Sequence, residues 1–120
     1  MTTSQTPKTL HPQSLDQLQA ILRAIQAIDA EFPIQYAICL VEIARDEGCS
    51  VTNLAERTNL ALSTVSRIVG ALSEYRQLGE PYRFIEVRIS QAERRKKELY
   101  LTEHGRKTLT EILVPIEKLL

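Results

Sequence analysis

From residue 14 onward the apolar positions fall on helical spacing. Leu15, Leu18, Ile21, Leu22, Ile25 and Ile28 make one stripe, widened by the small residues Ala20, Ala24 and Ala27. Ser14, with Gln17 three residues later, has the pattern of a capping box at the start of that helix. Phe32-Pro33 ends it, because the proline ring disfavours a helical conformation at the residue before it. Pro33 then suits the first turn of a second helix running to about Asp46, with Gly48 as its stop. Two helical segments follow at 51–57 and 63–75, joined by the short connection 58–62. After Gln77 the period shortens. Ile85, Val87 and Ile89 alternate with charged residues, as in a half-buried strand over 84–89, and 98–101 reads as a second strand. The polar stretch 90–97 between them is the hairpin loop. Thr102 caps a last helix with Glu103 in its first turn, and Leu109, Ile112, Leu113, Ile116, Leu119 and Leu120 form its stripe. Pro115 inside that stripe is expected to kink or restart the helix, since it lacks a backbone donor and clashes with the carbonyl of Glu111. Residues 1–13, rich in Thr, Ser, Gln and Pro without an apolar period, read as a flexible tail.

The order helix, helix, short helix, helix, strand, strand, helix describes a mainly α fold with a small β-hairpin, the order of a winged helix-turn-helix. Residues 14–120 then form a single domain, with the helix-turn-helix at 51–75 and the wing at 84–101. Two helices crossing steeply through a short turn need a small residue where the backbones meet, a turn residue that tolerates positive φ, and branched anchors on the second helix. Ala55 is the small residue. Asn59 stands in the turn, where asparagine tolerates the left-handed region better than most side chains. Val65 and Ile68 are the anchors, and Leu54, Leu60 and Leu72 complete the inward set. The outward face of the second helix reads Thr64, Ser66 and Arg67, with Ser63 as its N-cap and no carboxylate before Glu74. Short hydroxyls reach phosphates or base edges, and arginine can pair bidentately with guanine, so this face suits a major groove.

Composition narrows the classes. The 120 residues are 43% hydrophobic and 25% charged, close to soluble globular averages, which excludes disorder throughout. The longest apolar run is residues 36–41, far short of the roughly 18 needed to span a membrane. The first residues lack a basic stretch followed by an apolar one, so no signal peptide is expected, and a cytoplasmic location is. Net charge is formally zero, yet residues 1–60 hold 4 basic and 7 acidic side chains while 61–120 hold 11 and 8. The excess concentrates in Arg94-Arg95-Lys96-Lys97, at the hairpin tip, where it provides a local footprint for phosphates.

The chemistry of a catalyst is not legible here. The two histidines, His11 and His104, fall in the tail and on an exposed first turn; there is no phosphate-cradling glycine loop. Cys39 lies among Ile38, Leu40 and Val41 and reads as core. Cys49 reads as a turn residue with no nearby base to activate it, which leaves a redox-sensing thiol as a minor alternative. The two lack metal-ligand spacing, so no metal or cofactor is expected, and no enzymatic activity.

The segment 51–105 resembles the DNA-binding lobe of the MarR family of transcriptional regulators. Ser63-Thr64-Val65-Ser66-Arg67-Ile68-Val69 is similar to that family's recognition helix; Glu93-Arg94-Arg95, followed by five residues and then Leu101-Thr102-Glu103-His104-Gly105, is similar to its wing and the start of its next helix. The resemblance implies that Arg94 or Arg95 enters a minor groove; the hairpin projects beside the recognition helix, so Arg94, Arg95 and Lys96 are expected at phosphates or in that groove. It covers just under half the chain. Two departures stand out: residues 76–83 make a longer segment before the wing than the family usually has, and one helix follows the wing where two are usual.

A lobe of about 50 residues cannot cover the apolar stripes of both terminal helices, since small domains bury only about 60% of their chain surface. Helices 14–31 and 102–120 are therefore expected to pair with a second copy. Such a homodimer would present two recognition helices to double-stranded DNA about one turn apart, on a palindrome-like operator. The expectation is a sequence-specific transcriptional regulator, repressing by steric exclusion. The alternatives are a plasmid or phage replication or partition protein that binds repeated sites, and a winged helix that binds protein.

Overall fold

The computed structural model describes residues 9–74, 76 and 79–117. Helix α1 (Pro12–Ile28) is followed by α2 (Ile34–Arg45), strand β1 (Cys49–Ser50), α3 (Val51–Thr58), α4 (Leu62–Leu72), β2 (Ile85–Ile89), β3 (Lys97–Leu101) and α5 (Glu103–Glu117). The strands make one antiparallel sheet in the order β1-β3-β2, and this is a winged helix-turn-helix.

The core lies where α2, α3 and α4 meet the sheet. Cys39, Leu40 and Ile43 of α2, Leu54 of α3, Val65, Ile68 and Leu72 of α4, and Ile85 and Leu99 of the hairpin are all fully or almost fully buried. In α4 the steps of three and four from Val65 to Ile68 to Leu72 give one inward face, and in α2 Cys39 and Leu40 share a face with Ile43. Val65 is 0% exposed and Ile68 1%, so the anchors point inward as the spacing requires.

The bend between α3 and α4 forms at Asn59, with φ 57° and ψ 33°; its backbone N–H and that of Leu60 both donate to the Ala55 carbonyl. The left-handed residue turns the chain sharply, and the small Ala55 side chain admits the approach. At the other end of α3 the Ser50 hydroxyl accepts from the Asn53 N–H, while the Asn53 side chain accepts from the Ser50 N–H. That capping box satisfies donors that the first helical turn leaves without partners.

The hairpin has the register Ile85↔Leu101, Val87↔Leu99 and Ile89↔Lys97. Burial fades along it: Ile85 is 1% exposed, Val87 37% and Ile89 56%, because the hairpin extends beyond the core it starts on. The expected half-buried alternation therefore holds only at its root. Phe84 anchors that root. Its carbonyl accepts from the Thr102 N–H, and a Cβ at Gly105 would overlap it, so α5 can pass this close only at a glycine.

Several boundaries differ from those the sequence suggests. Helix α1 begins at Pro12 with His11 before it, not at Ser14, so residues 12 and 13 of the expected tail are helical; proline fits a first turn because its missing donor is unpaired there anyway. Pro33 precedes α2 as its N-cap instead of opening its first turn. Ala61, not Ser63, is the N-cap of α4, and Ser63 lies inside the first turn. Cys49 is not a turn residue. It sits in β1, paired with Leu99, which makes the hairpin part of a three-stranded sheet. The loop expected at 90–97 ends one residue early, because Lys97 pairs with Ile89. Helix α5 runs through Pro115 to Glu117 as one element: one missing bond to the Glu111 carbonyl does not end it. Residues 1–8 of the tail, Tyr75 at the expected end of the second helix, Gln77 and Leu78 of the longer segment, and Leu119 and Leu120 of the last stripe lie outside the described residues.

Candidate nucleic-acid interface

Burying Val65 and Ile68 forces the intervening positions of α4 outward. Ser63, Ser66 and Arg67 are exposed and Thr64 is half-buried. At the hairpin tip, the Ser90 hydroxyl accepts from the N–H groups of Ala92 and Glu93, and the Ser90 N–H donates to the Lys96 carbonyl. The Lys96 N–H in turn donates to the Glu93 carbonyl at 2.9 Å, closing a four-residue turn. Arg94 and Arg95 are the two central residues of that turn, and both are exposed.

Several other arginines of the chain are already engaged. Arg57 pairs with Asp46, Arg76 with Asp29, Arg88 with Glu86 and Arg106 with Glu47. Among the described residues, Arg67, Arg94, Arg95 and Lys96 make no such pair. Positive charge without an internal partner is available to an anion, which replaces only water around it.

The wing and the helices border one open groove. Its walls include Thr52 and Asn53 from the start of α3, Ser66 from α4, and Arg95, Lys96 and Lys97 from the wing; Glu93 is the one carboxylate among its lining residues. The fold thus brings Ser66, Arg95 and Lys96 together. Arg94 instead edges a neighbouring cleft with Ile89, Ser90 and Gln91, and Ser63, Thr64 and Arg67 do not line the groove. Thr52, Asn53 and Lys97 were not singled out from the sequence as site residues. The signal for the first two was the spacing Ser50-x-x-Asn53, which marks a helix start next to the hydroxyl face.

The cysteines are held protonated. Burial pushes the Cys39 thiol up to about 11, and burial raises Cys49 as well, chiefly for the same reason. Among the described residues no group of three His, Cys, Asp or Glu side chains could hold a metal ion, and no helix is long and apolar enough to cross a membrane.

A protein-family profile described as winged helix-turn-helix DNA-binding matches residues 40–75, a span that includes α3 and α4. No curated protein matches the chain by sequence. Solved structures do match by fold. The S. aureus MepR–DNA complex superposes with a TM-score of 0.72 at 16% identity, over 88% of this chain and 80% of that one. The transcriptional repressor CouR bound to a 23-mer DNA duplex gives 0.64 at 19% identity, over 87% and 67%. A MarR transcriptional regulator from Methanosarcina mazei Go1 gives 0.63 at 16%, over 88% and 70%. The chain is thus a winged helix-turn-helix whose architecture is similar, nearly end to end, to that of MarR transcriptional regulators.

Proposed function

We propose that the protein is a sequence-specific double-stranded DNA-binding transcriptional regulator, a repressor that works as a homodimer in the cytoplasm on a palindrome-like operator. One observation carries the reading. Arg95 and Lys96 of the wing and Ser66 of α4 border one groove, and Arg67, next to Ser66 in sequence, is exposed without an ion-pair partner among the described residues. In this reading Ser63, Thr64, Ser66 and Arg67 enter the major groove, Arg67 reading a base. Arg94 and Arg95 reach the adjacent minor groove and Lys96 its phosphates. The fold likeness to MepR and CouR, both solved on DNA, supports it.

The dimer rests on α1 and α5. These pack on each other within the chain and still leave Leu15, Leu18 and Leu22 of α1 and Leu113, Val114 and Ile116 of α5 well exposed. So much large apolar surface on two neighbouring helices suits a second copy. The regulator carries no catalytic step and needs no cofactor. Its action is steric, by occupying DNA.

Replacing Arg67 tests the assignment. Arg67→Ala is expected to cost about 1–3 kcal/mol on the specific site and to relax base preference there. Equal loss on specific and random duplexes would show that Arg67 reads no base.

A further inference from the structure

The described residues of the longer segment before the wing, Arg76 and 79–83, line no part of the groove above. The segment is held to its surroundings by Arg76 and by its C-terminal end. Its last residues return along the end of α4: the N–H groups of Tyr82, Arg83 and Phe84 donate to the carbonyls of Ala71, Ser73 and Leu72 at 3.0, 3.1 and 2.8 Å. These bonds start β2 beside the last turn of α4. The Arg76 guanidinium donates to the Glu80 carbonyl at 3.1 Å.

The side chains of the same segment reach α1. The Tyr82 hydroxyl donates to the Asp29 carboxylate at 2.7 Å, across 53 positions of sequence. Asp29 is the C-cap of α1, and its other oxygen accepts from the Glu31 N–H. Arg76 lies 3.6 Å from the same carboxylate and 4.6 Å above the Tyr82 ring. That ring is the centre of an aromatic cluster: it meets Phe32 and Tyr36 edge-on and stacks on Phe84, at 5.0, 6.2 and 5.7 Å between centroids. One continuous path of bonds therefore runs from the end of α4 through Tyr82 to the end of α1. Helix α1 packs on α5 and lays Ile21, Ala24, Ile25 and Ile28 against the core, though none of its residues is fully buried, and the Tyr82 bond to Asp29 holds its C-terminal end.

We propose that Asp29, Tyr82 and Arg76 form a latch that sets the angle between α1 and α4, and so sets which half-site spacing the dimer accepts. The inference rests on the DNA-reading dimer proposed above. In a twofold dimer joined through α1 and α5, a change of that angle swings each recognition helix along the duplex, so the latch acts on spacing without touching a base. Asp29, Tyr82 and Arg76 are positioning residues.

Tyr82→Phe keeps the ring in its cluster and removes the hydroxyl; Asp29→Asn removes the charge and keeps an acceptor. Each full-length variant would be titrated with a single half-site and with inverted pairs of half-sites whose gap is varied one base pair at a time. Dimer mass and thermal midpoint would be measured alongside. Single half-site affinity should stay at the wild-type level in both variants. The discrimination between the best gap and its neighbours should fall about tenfold, the size of one lost charge-assisted hydrogen bond. A lower thermal midpoint with the wild-type gap profile would make the contact merely structural and overturn the latch while leaving the DNA reading intact. A wild type that shows no gap preference would do the same. A wild type that binds no duplex selectively would overturn both.

Discussion

Asn59 takes a backbone conformation in which a Cβ crowds the next carbonyl and costs ordinary residues about 1–2 kcal/mol. Asparagine lowers that cost, and glycine would remove it. Asn59→Ala should therefore destabilise the fold by about 1 kcal/mol in denaturant unfolding, while Asn59→Gly should not. If both variants unfold like the wild type, the bend is held by something other than this residue. Two carboxylates give a second prediction. Asp29 is held below its ordinary 3.8, first by the Tyr82 hydrogen bond and then by the Glu31 N–H. Glu47 is held below its ordinary 4.5, first by Arg106 and then by the Leu101 N–H, which donates to it at 2.9 Å. A carboxyl depressed by folding contributes stability that is complete above its unfolded value and is lost as pH falls through its folded one. These two contributions should hold constant from pH 8 to 5 and disappear only below the ordinary values just given. Asp29→Asn and Glu47→Gln should each flatten the acid side of a stability profile, and an unchanged acid side would detach the carboxyl from its partners.

Among the elements, the wing is where charge, geometry and function meet most simply. Its turn is closed by Ser90 and Lys96, so Arg94 and Arg95 stand at the tip with no internal partner among the described residues. Each phosphate contact releases condensed counterions, and so Arg95→Ala should reduce the slope of log affinity against log salt by about one. An unchanged slope would take Arg95 off the phosphates. The wing and the bend were the parts most legible in the sequence, because both rest on local rules. Alternating Ile85 and Val87 marks a strand, and Ala55, Asn59, Val65 and Ile68 mark the bend through spacing alone. Strand β1 was not legible: two residues have no period, and Cys49 and Ser50 pair only because β3 lies beside them. The start of α4 was misplaced for a related reason. Ser63 is a good capping residue by type, but Ala61 holds the position because the turn from Asn59 is short. The link from Tyr82 to Asp29 could not be read at all, since no local pattern joins residues so far apart in sequence.

At the scale of the whole molecule, the described residues span 53 × 34 × 28 Å, an elongated body. Its core sits in the winged-helix lobe, and α1 has no buried residue of its own. The exposed leucines of α1 and the apolar residues late in α5 are the surface that the proposed second copy would cover, and covering them would set two copies of α4 on one face of a duplex. The account's central claim is that this arrangement reads DNA, and selecting bound fragments from a pool of random duplexes tests it most directly. The account predicts enrichment of an inverted pair of half-sites whose centres lie about 10 base pairs, one helical turn, apart. A pool that stays random after repeated selection, or one enriched only in tandem direct repeats, would contradict it.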